Sequence, residues 1–276
     1  MLVGSGQASF ETKERGQPEG VFTPRTKTLL PIQRQEALNM LRACIVASIV
    51  NHGHDNMLMG LVDQLLLCPE IARIIVTHNL PEKTNRIIDP RIYWRSNSKP
   101  LGYGANQNAA YGLLEAPYFC ILNPDIKIKQ NPFPKLLEKF SLPKVALVGP
   151  QIVSPDGQVE DSVRRFPTLR SLISKAMGKS DGTYKVQVSY PDWIAGMFML
   201  FRSDVFHQIG GFDERYFLYY EDVDICWRLK KNGYQIKINR NVEVIHDARR
   251  KSRKNWRYAC WHLSSMLRFL IKSRSF

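Results

Sequence analysis

Apolar residues fall along this chain in short blocks, and the spacing of those blocks sets most of the expected fold. Cys44 to Val50 is apolar but for Ser48, the pattern of a strand buried on both faces. Met57 to Leu67 reads as a helix, Ile71 to Thr77 as a second strand and Arg91 to Arg95 as a short third. Gly104 to Glu115 is a second helix, and Tyr118 to Leu122 another buried strand. This alternation predicts an α/β domain, a mostly parallel sheet flanked by helices. Ligands of such sheets lie beyond the carboxyl ends of the strands. That points to Asn51-His52-Gly53, His78-Asn79 and Asn123-Pro124-Asp125.

The second half is less regular. Val145 to Gly149 is apolar and leads into a Ser154-Pro155-Asp156-Gly157 turn and the basic segment Val163 to Pro167. Residues 170–190 read as a loop, Trp193 to Phe201 as one strand, and Ser203 to Gln208 as a capped helix closed by Gly210-Gly211. Residues 1–40 lack periodicity and read as a flexible lead-in with a short helix near Gln33 to Met40.

Composition narrows the class. The chain has 276 residues, 44% of them hydrophobic, enough for one large domain with appendages. No apolar run is long enough to span a bilayer, and the polar first twenty residues do not read as a signal peptide. Five scattered cysteines without paired spacing fit reduced core residues of a cytoplasmic protein. The net charge of +14 is concentrated at the end: from Arg228 onward there are 14 Lys and Arg against two acids. An anionic partner is expected there.

The segment from Phe212 to Asp224 carries the sharpest chemical signal. Four aromatic residues within five positions (Tyr216, Phe217, Tyr219, Tyr220) run into Glu221, Asp222 and Asp224 at the head of an amphipathic helix. Acids at a helix start offset the partial positive charge of its N–H groups. A carboxylate fixed beside a wet pocket can also accept a proton. Asp125 after a buried strand suits Mg²⁺ or Mn²⁺, which take one or two carboxylates plus substrate phosphates, but an ordinary Asn-Pro turn fits too. His246 ends the strand-like run Val242 to Ile245, as a metal ligand, a phosphate contact or a core residue. Gly102 to Asn106 could turn backbone N–H groups toward a phosphate, yet it lacks dinucleotide-fold and P-loop spacing. Trp193 and Gly196 on one strand suit a stacked sugar or base, or simply the core.

Taken in order, these pieces resemble the family 2 glycosyltransferases of the GT-A fold, in the bacterial rhamnosyltransferase-like branch. The resemblance spans Cys44 to His246 and rests on Asn97 to Asn108, Leu122 to Asp125, Trp193 to Gly196, Gly210 to Asp213 and Tyr219 to Asp224. It implies an inverting transfer from a nucleotide-sugar, first dTDP-L-rhamnose and otherwise a UDP- or GDP-sugar. The acceptor would be a hydroxyl of a growing, lipid-linked bacterial surface glycan. Asp222 would be the base, with Glu221 second, while Asp125 and His246 would hold Mg²⁺ or Mn²⁺. Asn51, Asn79, Asn106, Asp125, Trp193 and Gly196 would lie about the donor, and Asp224 would be left to cap the helix. The sequence departs from the family pattern where Asn123 replaces an aspartate and His78 precedes Asn79. Arg164 or Arg165 could assist the diphosphate.

The tail, residues 249–276, is expected to carry a basic amphipathic helix from Asn255 to Lys272, beyond a catalytic domain at 41–248. Trp256, Cys260, Leu263, Leu267 and Leu270 form one stripe, and nine Lys and Arg with no acid lie between Arg249 and Arg274. Such a helix suits an anionic membrane surface, which would place the enzyme at the inner face of the cytoplasmic membrane. Packing on the catalytic domain or at a subunit interface is the competing reading. A nucleic-acid-binding protein and an idle scaffold are the rivals from other classes; nucleic acid is not expected, because aromatic and basic residues do not interleave into a stacking platform.

Overall fold

The computed structural model describes residues 43–53, 55–80, 87–178, 189–247 and 256–274. The expected lead-in at 1–40 lies outside them. The order is β1 (Ile45–Asn51), α1 (Asp55–Leu66), β2 (Ile71–His78), β3 (Ile92–Ser96), α2 (Tyr103–Tyr111), β4 (Tyr118–Leu122), β5 (Ile126–Lys127) and α3 (Phe133–Leu137). Then follow β6 (Val145–Val153), β7 (Val163–Arg164), α4 (Leu169–Ala176), β8 (Trp193–Ile194), β9 (Phe198–Arg202), α5 (Ser203–Gln208), α6 (Glu221–Lys231), β10 (Gln235–His246) and α7 (Trp256–Arg274).

Eight strands form one sheet in the order β3-β2-β1-β4-β9-β6-β10-β5. β1 runs parallel to β2 and β4, β2 to β3, and β6 to β10, while β9 is antiparallel to both β4 and β6. Asn51 pairs with His78 and His78 with Ser96, so three polar strand ends stand side by side at one edge of the sheet.

Alternate residues of β1 serve the two layers. Ile45, Ala47 and Ile49 pack with Leu58, Leu61, Val62 and Leu65 of α1; Val46 packs in the other layer, with Phe119, Phe206 and α6 residues Val223 and Cys226. Each fully buried side chain of this size contributes roughly 1.5–3 kcal/mol by leaving water. Gly102, at the start of α2, is required by a close approach: a Cβ there would stand 2.9 Å from the Phe217 carbonyl oxygen, which already accepts from the Tyr103 N–H.

Three expected elements differ. Trp193 to Phe201 is two strands, because the chain breaks at Ala195–Met197 and β8 pairs with β7 in a separate ribbon. The break frees the Gly196 N–H from any ladder, and a side chain takes it. The expected loop at 170–190 holds α4, started by a reciprocal cap in which the Thr168 and Ser171 side chains each accept the other's N–H. β10 is twelve residues long, not four, and a bulge between Asn239 and Glu243 interrupts the alternation that would reveal it. Among the described residues no helix is long and apolar enough to cross a membrane.

Candidate active site

α6 enters the site through two consecutive left-handed residues, Tyr219 (φ 68°) and Tyr220 (φ 66°). Bulky side chains avoid this region at a cost of about 1–3 kcal/mol each, so surrounding contacts must hold the turn. The His262 ring lies 5.4 Å from both tyrosine rings, Phe269 is 5.9 Å from Tyr220, and the Ser265 hydroxyl donates to the Leu218 carbonyl at 3.0 Å. All three residues belong to α7. The tail helix therefore packs on the domain through its Trp261, Ser265 and Phe269 face. Four residues of the expected stripe, Trp256, Cys260, Leu263 and Leu267, point outward; Leu270 is buried.

The turn delivers Glu221 and Asp222 to a cleft of about 630 Å³. Asp222 is fixed there by two backbone donors, Gly196 N–H to Oδ2 at 3.0 Å and Val223 N–H to Oδ1 at 2.8 Å. Burial raises its pKa despite these bonds. Glu221 is pushed up to about 8, first by burial and then by the charge of Asp222, and its Oε2 has no hydrogen-bond partner among the described residues. Tyr103 crosses the floor, donating to the Gly196 carbonyl at 2.9 Å and to Asn123 Oδ1 at 3.1 Å.

His246 lines the same cleft. Its Nε2 is 3.3 Å from Asp125 Oδ2 and its Nδ1 is 2.8 Å from Glu160 Oε2. Burial alone would lower the imidazole pKa, but hydrogen bonding and charge from the two carboxylates outweigh it and raise it. Asp125 Oδ1 is buried without a hydrogen-bond partner among the described residues. These residues fit a hard divalent cation in one respect: a carboxylate oxygen with nothing to bind lies beside an imidazole oriented by a further carboxylate. Among the described residues, no group of three or more ligands is assembled in advance.

Trp193 lines the cleft with its indole N–H on the Arg165 carbonyl at 2.9 Å and the Arg164 guanidinium 5.5 Å above its ring. Arg164 also pairs with Asp161 at 2.8 Å, a part-exposed ion pair at the cleft. Asn51, Asn79 and Asn106 are brought near one another but do not line the cleft. Asn79 Oδ1 accepts from Asn97 Nδ2, Asn106 Nδ2 and Leu101 N–H at 2.8–3.1 Å, and Asn51 contacts His78. They brace the 97–106 segment beneath the strand ends. Asp224 does not cap α6. It is fully buried, bound by Arg228 Nε at 2.8 Å and Lys272 Nζ at 2.6 Å.

Sequence reasoning missed Glu160, Tyr103 and His262. Glu160 and His262 sit in no motif: Glu160 lies 86 residues from His246, and His262 meets Tyr219 and Tyr220 more than 40 positions earlier. Tyr103 had a signal, a ring flanked by glycines at a helix start.

Residues 177–250 match the family model described as the N-terminal domain of galactosyltransferase. The chain is 29% identical over 243 residues to the rhamnosyltransferase WbbL of Escherichia coli, covering 82% of this chain and 92% of that one. It is 34% identical over 139 residues to the N-acetylglucosaminyl-diphospho-decaprenol L-rhamnosyltransferase of Mycobacterium tuberculosis, across 46% of this chain and 45% of the relative. These similarities mark the chain as a glycosyltransferase that is similar to rhamnosyltransferases. Solved structures agree on the fold. GalNAc-T7 with UDP, GalNAc and Mn²⁺ superposes with a TM-score of 0.60 at 14% identity, over 90% of this chain and 58% of that one. The mannosyltransferase PcManGT of Pyrobaculum calidifontis, with GDP-Man and Mn²⁺, gives 0.54 at 12%, over 83% and 66%. The sheet of this glycosyltransferase is thus a GT-A sheet, and its acidic turn, tryptophan and late histidine converge on one cleft.

Proposed function

We propose that this glycosyltransferase moves a sugar, first dTDP-L-rhamnose, from its nucleotide onto a hydroxyl of a lipid-linked bacterial surface glycan, with inversion at C1. The observation that carries the reading is the Asp222 carboxylate, held by the Gly196 N–H on a cleft wall it shares with Trp193 and His246. In the proposed reaction Asp222 takes the acceptor proton as the hydroxyl oxygen forms its bond to C1 and the bond from C1 to the diphosphate oxygen breaks. A single displacement by one base inverts the centre. The raised pKa of Asp222 makes it a stronger base than a solvated carboxylate.

Asp125 and His246 would hold Mg²⁺ or Mn²⁺, with Glu160 fixing the imidazole; the bound ion would offset charge on the departing diphosphate. Arg164, paired with Asp161 over Trp193, adds a cation for the same charge. Asn51, Asn79 and Asn106 act on the donor through the segment they brace. Relatives named as rhamnosyltransferases, one acting on a diphospho-decaprenol carrier, favour a deoxysugar donor, a polysaccharide pathway and work at a membrane surface. The UDP and GDP-Man carried by structural neighbours make those nucleotides the second choice.

A thermal-shift panel of nucleotide-sugars with Mg²⁺ and Mn²⁺ tests the donor, because a ligand bound only by the native state stabilises it according to its affinity. Transfer from the best donor, lost in Asp222→Asn, supports the reaction. No stabilisation by any nucleotide-sugar overturns it.

A further inference from the structure

The tail helix has two apolar faces. Its inner face closes the catalytic turn, and along its opposite side Trp256, Leu263, Leu267 and Ile271 are 71%, 52%, 50% and 68% exposed. These positions share one stripe at 3.6 residues per turn, about half a turn from Ser265 and Phe269. Isolated exposed leucines need no explanation, whereas a continuous stripe does.

A second helix repeats the pattern. On α4, Leu172 and Ser171 line the cleft, while Leu169, Ile173 and then Met177 just past its end are 45%, 51% and 60% exposed, with Arg170 exposed beside them. His262 of α7 lines that same cleft. Two helices bordering one cleft thus each pack one face inward and turn an apolar face outward.

Charge selects the occupant. Five Lys and Arg occupy residues 249–254, Arg257 and Arg268 flank the stripe, and no acid lies between Arg249 and Arg274. A second copy would bring like charges together. An anionic bilayer takes apolar side chains and Arg or Lys at its headgroups.

We propose that α4 and α7 form a two-helix platform that seats this enzyme on an anionic bilayer, the outward stripes entering the interface beside the cleft. The role of the platform in bringing a lipid-linked acceptor to Asp222 rests on the reaction proposed above; its binding to lipid does not.

The test is co-sedimentation of the full chain with vesicles of phosphatidylcholine, with and without phosphatidylglycerol. The wild type should pellet with the anionic vesicles. Leu263→Glu/Leu267→Glu should lose about tenfold in partitioning and Ile173→Glu a smaller but clear amount. All variants should keep wild-type thermal midpoints and wild-type transfer to a water-soluble acceptor, since none of these residues touches the cleft. Equal pelleting of wild type and variants overturns the proposal. So does a wild-type dimer that the double variant dissociates without any vesicle binding. Vesicle binding by a protein that transfers no sugar would uphold the platform and sink the reaction, and transfer without vesicle binding would do the reverse.

Discussion

Lys272 places its ammonium 2.6 Å from a carboxylate oxygen of Asp224, joining the last helix to the one that begins with Glu221 and Asp222. Asp224 is fully buried, and its other oxygen is held by Arg228, which also donates to the Ile209 and Gly211 carbonyls. Removing one partner of a buried charge leaves the other poorly compensated and costs about 3–5 kcal/mol. Lys272→Met should therefore lower the unfolding free energy in urea by about 3 kcal/mol. Adding Asp224→Asn should deepen that loss, because Arg228 would then be left without its carboxylate partner. A loss of less than about 0.5 kcal/mol would class the contact with ordinary surface pairs.

The two adjacent acids should separate by activity. Asp222→Asn loses the base and should reduce kcat about 10³-fold with donor affinity preserved. Its amide keeps one oxygen for a backbone donor and gives up the other, so stability should fall by no more than about 1 kcal/mol. Glu221→Gln should retain far more activity. If the ranking reverses in steady-state kinetics, Glu221 is the base.

Glu221 also predicts how stability depends on pH. Unfolded, it ionises near 4.5; folded, only at about 8. Between those values the native state holds a proton that the unfolded chain has lost, so stability falls as pH rises through the window and levels off above it. Asp222, raised in the same direction, adds to the effect, and the two titrate as a pair. Glu221→Gln should shrink the drop in thermal midpoint between roughly pH 5 and pH 8. Identical slopes for both proteins would show that the carboxyl is not held neutral.

How far this was legible follows from the range of the interactions. β1, β2 and β4 were readable because buried parallel strands are unbroken apolar blocks. The acidic turn was readable because its rings and carboxylates are contiguous. Asp224 was misassigned to capping: Arg228, four residues on, was a local signal left unread, and its other partner Lys272 lies 48 positions on. The split of Trp193 to Phe201 was invisible because both halves are apolar and the break is held by distant partners, Asp222 and Tyr103 on Gly196 and Ser162 on Ala195. Four residues of the expected tail stripe face outward and Leu270 is buried, and the same helix carries a second face whose Ser265, Phe269 and Lys272 gain meaning only once the acidic turn is beneath them.

Glu160 carries the last prediction. It holds His246 Nδ1 at 2.8 Å, leaving Nε2 on the side of Asp125, the arrangement by which a carboxylate fixes the tautomer and direction of a metal-binding imidazole. Glu160→Gln keeps a hydrogen-bond acceptor but loses the charge. Two effects follow with opposite signs. The looser imidazole should weaken Mn²⁺ binding about tenfold. At the same time, one of the two carboxylates that raise the His246 pKa is gone, so its proton leaves more easily and competes less with the ion. At alkaline pH the imidazole is neutral in both proteins and only the loss of orientation acts. Mn²⁺ titrations by calorimetry with nucleotide present should therefore show the largest deficit there, narrowing as the pH is lowered through the histidine range. Equal affinities at alkaline pH would leave Glu160 as an ordinary hydrogen-bond partner and remove His246 from the proposed ion site.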